Sequence, residues 1–339
     1  MELIAADIGG TKSWLVWVAY TPEGGAQQRF EQVYASAAFV TADDLIRQFM
    51  TDAQAAAAPD CLLLALPGPL HAQHVRLTNL DWTLDAADMR ATLGIPSVRF
   101  INDFQAAAAG VATLTADDVV ALNAPPAEVN SVRAITGAGT GLGLAFMLAG
   151  ADGRYQDFPT EGGHIDFAPA NAMQARLLKH LRAKYGHVSW ERAVSGSAMG
   201  DLYDFCCAEL GCPPTDVPVD GPALTARAGL GEAAAVAALD LFVDLYGAWV
   251  GNVALLYQPR GGLYVAGGIA VHLQDRLRSP RFMAAAADKG RMRGVVERTP
   301  IFLVTCSRLG VQGAIATALA QPFFSHHLDS DTEQSRSGT

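Results

Sequence analysis

The segment Leu3-Ile-Ala-Ala-Asp7-Ile-Gly9-Gly10-Thr11 is an apolar run that ends in a carboxylate, two glycines and a hydroxyl. A second apolar run, Ser13 to Tyr20, follows directly. Two such runs around a glycine pair predict a β-hairpin. Glycines let backbone N–H groups approach phosphate oxygens closely, and a nearby carboxylate suits Mg²⁺ held through water. An ordinary glycine turn explains the same residues, so the segment alone leaves both interpretations open.

The same arrangement recurs in the middle of the chain. Arg133 to Thr136 predicts a strand, Gly137-Ala-Gly139-Thr140-Gly141-Leu-Gly143 a glycine loop, and Leu144 to Leu148 a returning strand. The loop is neither a P-loop, which needs a following Lys-Ser/Thr, nor the dinucleotide fingerprint, which needs a sixth-position glycine. Alternate glycines are costly inside a strand, so close approach of a ligand is favoured over a glycine-kinked hairpin. The recurrence predicts a second lobe built on a plan similar to the first.

Asn102 and Asp103 follow another predicted strand, Val98 to Ile101. Ligands of α/β proteins bind at the carboxyl ends of strands, which makes this dipeptide a candidate site. The alternative is that Asp103 caps the Ala-rich helix predicted from about 104 to 111. On the dipeptide alone, the cap is the favoured interpretation.

Two further polar groups stand later in the chain, Glu161-Gly-Gly-His164 and Glu191. A sugar presents a ring of hydroxyls, which carboxylates, Asn and His read through paired hydrogen bonds. Taken alone, His164 is more typical of a structural histidine. His164 and Asp166 lie two residues apart with no third ligand nearby, which argues against a metal site.

Composition narrows the class of protein. The 339 residues carry 24 basic and 34 acidic side chains, a net charge of -10, which argues against binding to nucleic acid or an anionic membrane. Five cysteines without a C-x-x-C pair argue against a disulfide framework and a structural zinc site. The opening residues do not read as a targeting segment, so we expect a cytoplasmic protein. Ala233 to Tyr257, interrupted by Asp240, Asp244 and Asn252, predicts an amphipathic core helix and not a membrane span.

The ordered set of these segments resembles the bacterial glucokinase family, within the actin-like ATPase superfamily that includes the hexokinases. The segments that carry the resemblance are Asp7-Ile-Gly-Gly-Thr11, Leu77-Thr-Asn-Leu-Asp-Trp82, Ile101-Asn-Asp-Phe104, Ile135-Thr-Gly-Ala-Gly-Thr-Gly-Leu-Gly143, Glu161-Gly-Gly-His-Ile-Asp-Phe-Ala-Pro169, Val188-Ser-Trp-Glu-Arg192 with Ser195-Gly196, and Tyr264-Val-Ala-Gly-Gly-Ile269.

The resemblance implies a two-lobed α/β fold of the actin-like ATPase (ribonuclease H-like) type, with a cleft between a small and a larger α/β domain. The small domain would cover residues 1–112 and be completed by a C-terminal helix at about 310–322. The large domain would cover 113–309, and a polar tail 325–339.

The resemblance also implies an activity, ATP-dependent phosphorylation of glucose at its 6-hydroxyl, with Asp103 as general base. ATP and Mg²⁺ would be the cofactors, and a homodimer is expected. The implied nucleotide-binding residues are Asp7, which would also hold Mg²⁺, Gly9, Gly10, Thr11, Gly139, Thr140, Gly141, Gly267 and Gly268. The implied sugar-binding residues are Asn79, Asn102, Asp103, Glu161, His164 and Glu191.

One departure and three alternatives accompany this assignment. Where related kinases usually have Ser-Gly-Pro-Gly, this chain has Ser195-Gly196-Ser197-Ala198, so the stretch after Glu191 is expected to be shaped differently. The zinc motif of the related repressor-and-kinase group is absent. The alternatives are a kinase for another hexose, a catalytically silent sugar-binding regulator, and a mechanical actin-like ATPase, for which the Glu161-Gly-Gly-His164 and Asn102-Asp103 pairs have no role.

Overall fold

The computed structural model describes residues 1–68, 70–77, 80–212 and 219–320. The strands are β1 Glu2–Ile8, β2 Lys12–Thr21, β3 Gly25–Ala35, β4 Cys61–Leu66, β5 His74–Arg76, β6 Thr83–Asp85, β7 Ser97–Asn102, β8 Val119–Ala121, β9 Arg133–Ala138, β10 Leu142–Ala149, β11 Tyr155–Thr160, β12 Leu263–Ala266 and β13 Ile301–Val304. The α-helices are α1 Ala42–Asp52, α2 Ala86–Leu93, α3 Asp103–Gly110, α4 Ala172–Tyr185, α5 Ala198–Leu210, α6 Gly221–Gly229, α7 Ala233–Tyr257, α8 Gly268–His272, α9 Gln274–Leu277, α10 Pro280–Ala287, α11 Arg293–Glu297 and α12 Leu309–Ala320. Short 3-10 turns include Gly162–His164 and Trp190–Arg192.

The chain forms two compact units. The first contains Met1–Thr113 and the chain from Arg308 onward, and the second contains Leu114–Ser307. The sheet of the first unit has the strand order β3-β2-β1-β4-β7. Strands β1, β2 and β3 form an antiparallel meander, and β1, β4 and β7 run parallel. The predicted hairpin around Gly9-Gly10 is therefore confirmed.

Both faces of this first sheet are covered, as the apolar run in β1 requires. Because side chains alternate along a strand, Leu3 and Ala5 face one layer while Ile4 and Ala6 face the other. Leu3 and Ala5 pack with Ala314 and Ala318 of α12. Ile4 and Ala6 belong to the core that contains buried residues of α1 and α2. The N-terminus of α1 is capped by Thr41, whose side chain accepts a hydrogen bond from the Asp44 N–H.

The second unit repeats the plan of the first. Its sheet has the order β11-β10-β9-β12-β13-β8, in which β9, β10 and β11 form an antiparallel meander and β9, β12 and β13 run parallel. The prediction of a similar second lobe is confirmed by this shared strand order. Two of its strands, β8 and β11, were not predicted, because β8 is only three residues long and β11 carries polar residues.

Helix α7 is the core helix of the second unit, as predicted, and its polar face is narrower than expected. Among the helices of the described residues, α7 alone is long and apolar enough to span a membrane. However, 72% of its most apolar 18-residue stretch is buried inside the protein. From Leu241 to Gly251 only Asp244 is not fully buried. The reason is packing on several sides, since α5, α6, α10 and β9 all contact it. Its Asp240 and Asp244 reach the surface and pair with Arg281 at 2.9 and 2.7 Å.

Candidate active site

In the first unit, the Gly9-Gly10 turn joins β1 to β2 and is held by two serines. The Gly9 N–H donates to the Lys12 carbonyl at 2.9 Å, and a Cβ on Gly9 would lie 2.9 Å from that same oxygen. The Ser36 hydroxyl donates to the Gly9 carbonyl at 2.7 Å and lies 2.9 Å from the Ser13 hydroxyl. Thr11 is exposed beside this turn. These hydrogen bonds hold the turn in place, and Gly9 and Gly10 remain partly accessible to solvent.

Asp7 is the penultimate residue of β1, followed by Ile8 and then by this turn. Burial raises the pKa of its carboxyl from 3.8 to about 6, because the charged form is poorly solvated there. A Cβ on Gly310, in the first turn of α12, would collide with the Asp7 carboxylate. A cation beside Asp7 would offset the desolvation of the charge, so the position fits a metal-linked role. Among the described residues, no group of three or more His, Cys, Asp or Glu side chains could hold a metal ion by itself.

Asn102 and Asp103 lie at the carboxyl end of β7, where α3 begins. The expectation that Asp103 is the helix cap is wrong: the cap is Asn102, whose Oδ1 accepts from the N–H groups of Phe104 and Gln105 at 2.9 and 3.2 Å. The Asn102 amide also donates to the Gly68 carbonyl at 3.3 Å, which joins the ends of β4 and β7. Asp103 is the first helical residue and is half-buried. The Asp103 Oδ1 also accepts from the Phe104 N–H, at 2.8 Å, so Asp103 supports the first turn of the helix beside the cap.

In the second unit, the glycine loop joins β9 to β10 at the position that the Gly9-Gly10 turn has in the first. Helix α7 supports its base: the Tyr246 hydroxyl accepts from the Ala138 N–H at 3.2 Å, and the Trp249 indole donates to Thr136 at 2.8 Å. Among the described residues, neither the Thr140 N–H nor the Gly141 N–H donates a hydrogen bond. A Cβ on Gly139 would meet open space. The loop therefore presents unpaired donors beside an open surface.

Four residues from three other segments of the second unit meet this loop within residues 138–142. At each contact one partner is a glycine, and a Cβ atom added to that glycine would collide, or nearly collide, with the other partner. These contacts are Gly267 with the Ala138 carbonyl, Gly196 with the Gly139 carbonyl, Glu191 with Gly141, and Gly163 with the Leu142 carbonyl. The structure thus brings together the predicted residues Gly139, Gly141, Glu191 and Gly267, which are far apart in sequence.

The Glu161-Gly-Gly-His164 turn is tied to the segment that carries Glu191. The Phe167 N–H donates to the Val188 carbonyl and the Trp190 N–H donates to the Ile165 carbonyl, both at 3.0 Å. The Glu161 and His164 side chains are exposed, and Glu161 Oε2 lies 3.9 Å from His164 Nε2. Both side chains are exposed and lie next to each other on one 3-10 turn. They therefore suit a polar ligand better than a structural role.

Asn79, which was predicted to lie near the sugar, is outside the described residues. Thr140 and Gly268 are exposed at the loop and at the start of α8, close in sequence to Gly141 and Gly267. His164 pairs with Glu161, while Asp166 lies 3.5 Å from His187.

Several supporting residues were missed by sequence reasoning. Ser36, Tyr246 and Trp249 hold the two glycine turns in place, and Gly310 leaves space for Asp7. A buried tyrosine or tryptophan in an apolar helix gives no sign of its hydrogen-bond partner, so Tyr246 and Trp249 could not have been found. A glycine at the start of an apolar helix was the one available signal for Gly310.

The comparisons with known proteins agree with this geometry. A family model described as Glucokinase matches residues 4–321. A curated relative named Glucokinase, from Synechocystis sp., is 35% identical over 94% of this chain and 98% of its own length. The chain belongs to the glucokinase family. A solved glucokinase from an Antarctic psychrotroph is 30% identical with a TM-score of 0.79, covering 94% of this chain and 99% of its own.

The family fold extends to more distant kinases. A ROK family glucokinase from Streptomyces griseus, solved in complex with glucose and AMPPNP, has a TM-score of 0.61. It is 20% identical and covers 95% of this chain and 100% of its own. The actin-like, two-unit α/β fold expected from the sequence is confirmed by these likenesses.

Proposed function

We propose that this protein transfers the γ-phosphoryl group of ATP to the 6-hydroxyl of glucose. The observation that carries the proposal is the meeting of Glu191 and the Glu161–His164 turn with the glycine loop in one unit of a glucokinase-family fold. Carboxylates and a histidine suit sugar hydroxyls, and loop N–H groups suit phosphate oxygens. This unit therefore offers groups suited to each substrate of a sugar kinase, the sugar and the nucleotide phosphates.

Asp103 is proposed as the general base. Phosphoryl transfer asks the protein chiefly for positioning and charge stabilisation, and a carboxylate that accepts the hydroxyl proton completes the nucleophile. Asp103 would take the proton of the sugar 6-hydroxyl as that oxygen attacks the γ-phosphorus and the bond to the β-phosphate oxygen breaks. Asn102, Glu161, His164 and Glu191 would hold the remaining hydroxyls, with Asn79 nearby.

The two glycine turns are proposed as the nucleotide contacts. Gly9, Gly10 and Thr11 would serve one part of the triphosphate, as would Gly139, Thr140 and Gly141. The exposed Gly267-Gly268 pair at the start of α8 would lie beside the adenosine. Asp7 would hold Mg²⁺ through water, and the bound ion would supply positive charge to the β- and γ-phosphate oxygens.

The cellular setting follows from the substrates. All five cysteines are free thiols, which suits a reducing compartment, and ATP is the phosphoryl donor, so we propose a cytoplasmic, glycolytic role.

A homodimer is proposed from the family resemblance, and sedimentation at several concentrations would test it.

A substrate panel tests the proposed reaction. ADP release with Mg²⁺-ATP should depend on glucose and be absent with 6-deoxyglucose, which lacks the accepting hydroxyl but keeps the others. Greater kcat/KM with mannose, fructose or an N-acetylated amino sugar would assign another hexose as substrate. Sugar binding by calorimetry without any ADP release would instead identify a silent regulator.

A further inference from the structure

Glu191 touches the glycine loop as well as facing solvent. Its Oε2 accepts a hydrogen bond from the Leu142 N–H at 3.0 Å. A Cβ on Gly141 would collide with that same oxygen, whereas Oε1 lies 3.9 Å from the position of such a Cβ. One oxygen of the carboxylate therefore belongs to the loop, and the other lies farther from it.

The loop needs an external support of this kind. Gly139, Gly141 and Gly143 give its backbone more conformational freedom than any other residue type would. At its tip the loop closes on itself through a hydrogen bond from the Gly139 N–H to the Gly141 carbonyl at 2.8 Å. The Leu142 N–H bond to Glu191 fixes one end of the turn. The Gly196 N–H fixes the other, because it donates to the Gly139 carbonyl at 2.8 Å.

Both supports come from one rigid segment, residues 191–198, which contains the departure from the usual Ser-Gly-Pro-Gly. The buried Ser195 hydroxyl donates to the Glu191 carbonyl at 2.7 Å and accepts from the Ala198 N–H at 3.2 Å. It also lies 2.9 Å from the Ser197 hydroxyl. These bonds hold Glu191 and Gly196 at a fixed separation without the proline that related kinases usually have.

We infer that Glu191 is a positioning residue for the nucleotide loop in addition to a sugar contact, so one carboxylate links the two subsites. Its Oε2 shapes the loop through Leu142 and Gly141, while Oε1 faces a sugar hydroxyl. The inference deepens the proposed function and rests on it. Its distinctive consequence is that a change at Glu191 alters nucleotide affinity even when no sugar is present.

The negative charge of Glu191 gives a competing effect that the test must separate. A carboxylate near bound phosphates repels them, so removing the charge alone would tighten nucleotide binding. Glu191→Gln removes the charge but keeps an oxygen that can accept from the Leu142 N–H. Glu191→Ala removes both. If positioning dominates, the two variants differ.

The experiment is calorimetric titration of a non-hydrolysable ATP analogue with Mg²⁺ in the absence of sugar. We expect Glu191→Ala to weaken binding about tenfold, the value of a lost hydrogen bond to a charged group, and Glu191→Gln to stay within about threefold of wild type. The matched control is His164→Ala, which removes another proposed sugar contact whose side chain does not touch the loop. It should leave the nucleotide Kd unchanged. Equal or tighter binding by Glu191→Ala would overturn the inference.

Gly141→Ala disturbs the same contact from the loop side and is tested alone if Glu191→Ala folds poorly; an unchanged affinity for the analogue would then contradict the contact. Gly141→Ala places a methyl group against Oε2 and should also weaken the analogue. In the Glu191→Ala background the same methyl meets no carboxylate, so its effect should be much smaller, and additive effects would contradict the contact. Failure of the proposed function looks different, since the wild type would then bind no analogue or release no ADP with glucose.

Discussion

At the scale of single residues, the sequence predicts which side chains matter better than what each one does. Asn102 and Asp103 were both chosen correctly as residues at a strand end, but the cap was assigned to the wrong one. Either side chain can cap a helix, and the backbone angle that decides between them is not visible in sequence. Glu191 likewise was expected to contact sugar, and its bond to Leu142 depends on a fold contact between distant segments.

Asp103→Asn is predicted to fold and to bind glucose, because the cap on α3 is Asn102 and the amide keeps the shape of the side chain. Turnover should fall by roughly 10²–10⁴-fold, the usual contribution of a general base. Steady-state kinetics together with a calorimetric glucose Kd measure the two effects separately. Near-wild-type kcat would remove Asp103 from the role of base, whereas loss of binding alone would make it a sugar contact.

Asp7 is predicted to make the stability of the metal-free protein depend on pH. Its pKa is raised to about 6 from 3.8, so the folded protein binds this proton more tightly than the unfolded chain. The resulting stabilisation is complete below about pH 4 and is lost as the pH rises through 6.

Thermal unfolding of the wild type and Asp7→Asn in chelator, between pH 4 and 7.5, tests this pH dependence. The isosteric amide cannot ionise, so the variant should gain in Tm relative to wild type as the pH rises from 4 to above 6. Other carboxyl groups titrate in both proteins and cancel in the difference. A difference in Tm that does not change with pH would contradict the assignment.

At the scale of elements, periodicity and turn residues located most strands and helices, and the misses have physical causes. Strand β11 is amphipathic at a sheet edge and carries Gln156, Asp157 and Pro159, which are poor strand formers. Helix α7 was expected to expose a polar face, and that face is a narrow stripe with Asp240 and Asp244, because helices on several sides cover the rest. How many neighbours cover a helix is a property of the tertiary fold, so sequence alone could not give it.

The packing of α12 on α3 depends on glycine in both helices. A Cβ on Gly313 would collide with the Ala106 carbonyl, and one on Gly110 would collide with the Leu309 carbonyl. Alanine at 313 would normally favour a helix, but here the backbones of the two helices would have to separate.

Gly313→Ala is predicted to lower the free energy of unfolding by about 1–3 kcal/mol, as expected for overpacking of a tight interface. Urea denaturation followed by circular dichroism measures it. Gly229→Ala, at the end of α6, is the matched control: its Cβ would meet nothing within 4 Å, so stability should be unchanged or slightly higher. Equal stability of the two variants would show that the α3–α12 contact is looser than described.

At the scale of the whole molecule, the repeated strand, glycine turn and strand was enough to predict two similar lobes. The strand orders β3-β2-β1-β4-β7 and β11-β10-β9-β12-β13 realise that repeat, and each places a glycine turn between its two central antiparallel strands. Sequence could not show that Gly163, Gly196 and Gly267 all contact residues 138–142, because each contact joins segments tens of residues apart. The chemistry was readable from residue types, and the geometry that combines them was not.

The transfer of phosphoryl from ATP to the 6-oxygen of glucose is tested most directly with glucose labelled with ¹⁸O at that hydroxyl. Incubation with Mg²⁺-ATP, followed by ³¹P spectroscopy, should give a single sugar phosphomonoester whose signal carries the isotope shift of a bridging ¹⁸O. A phosphomonoester without the shift, or inorganic phosphate as the main product, would contradict the account.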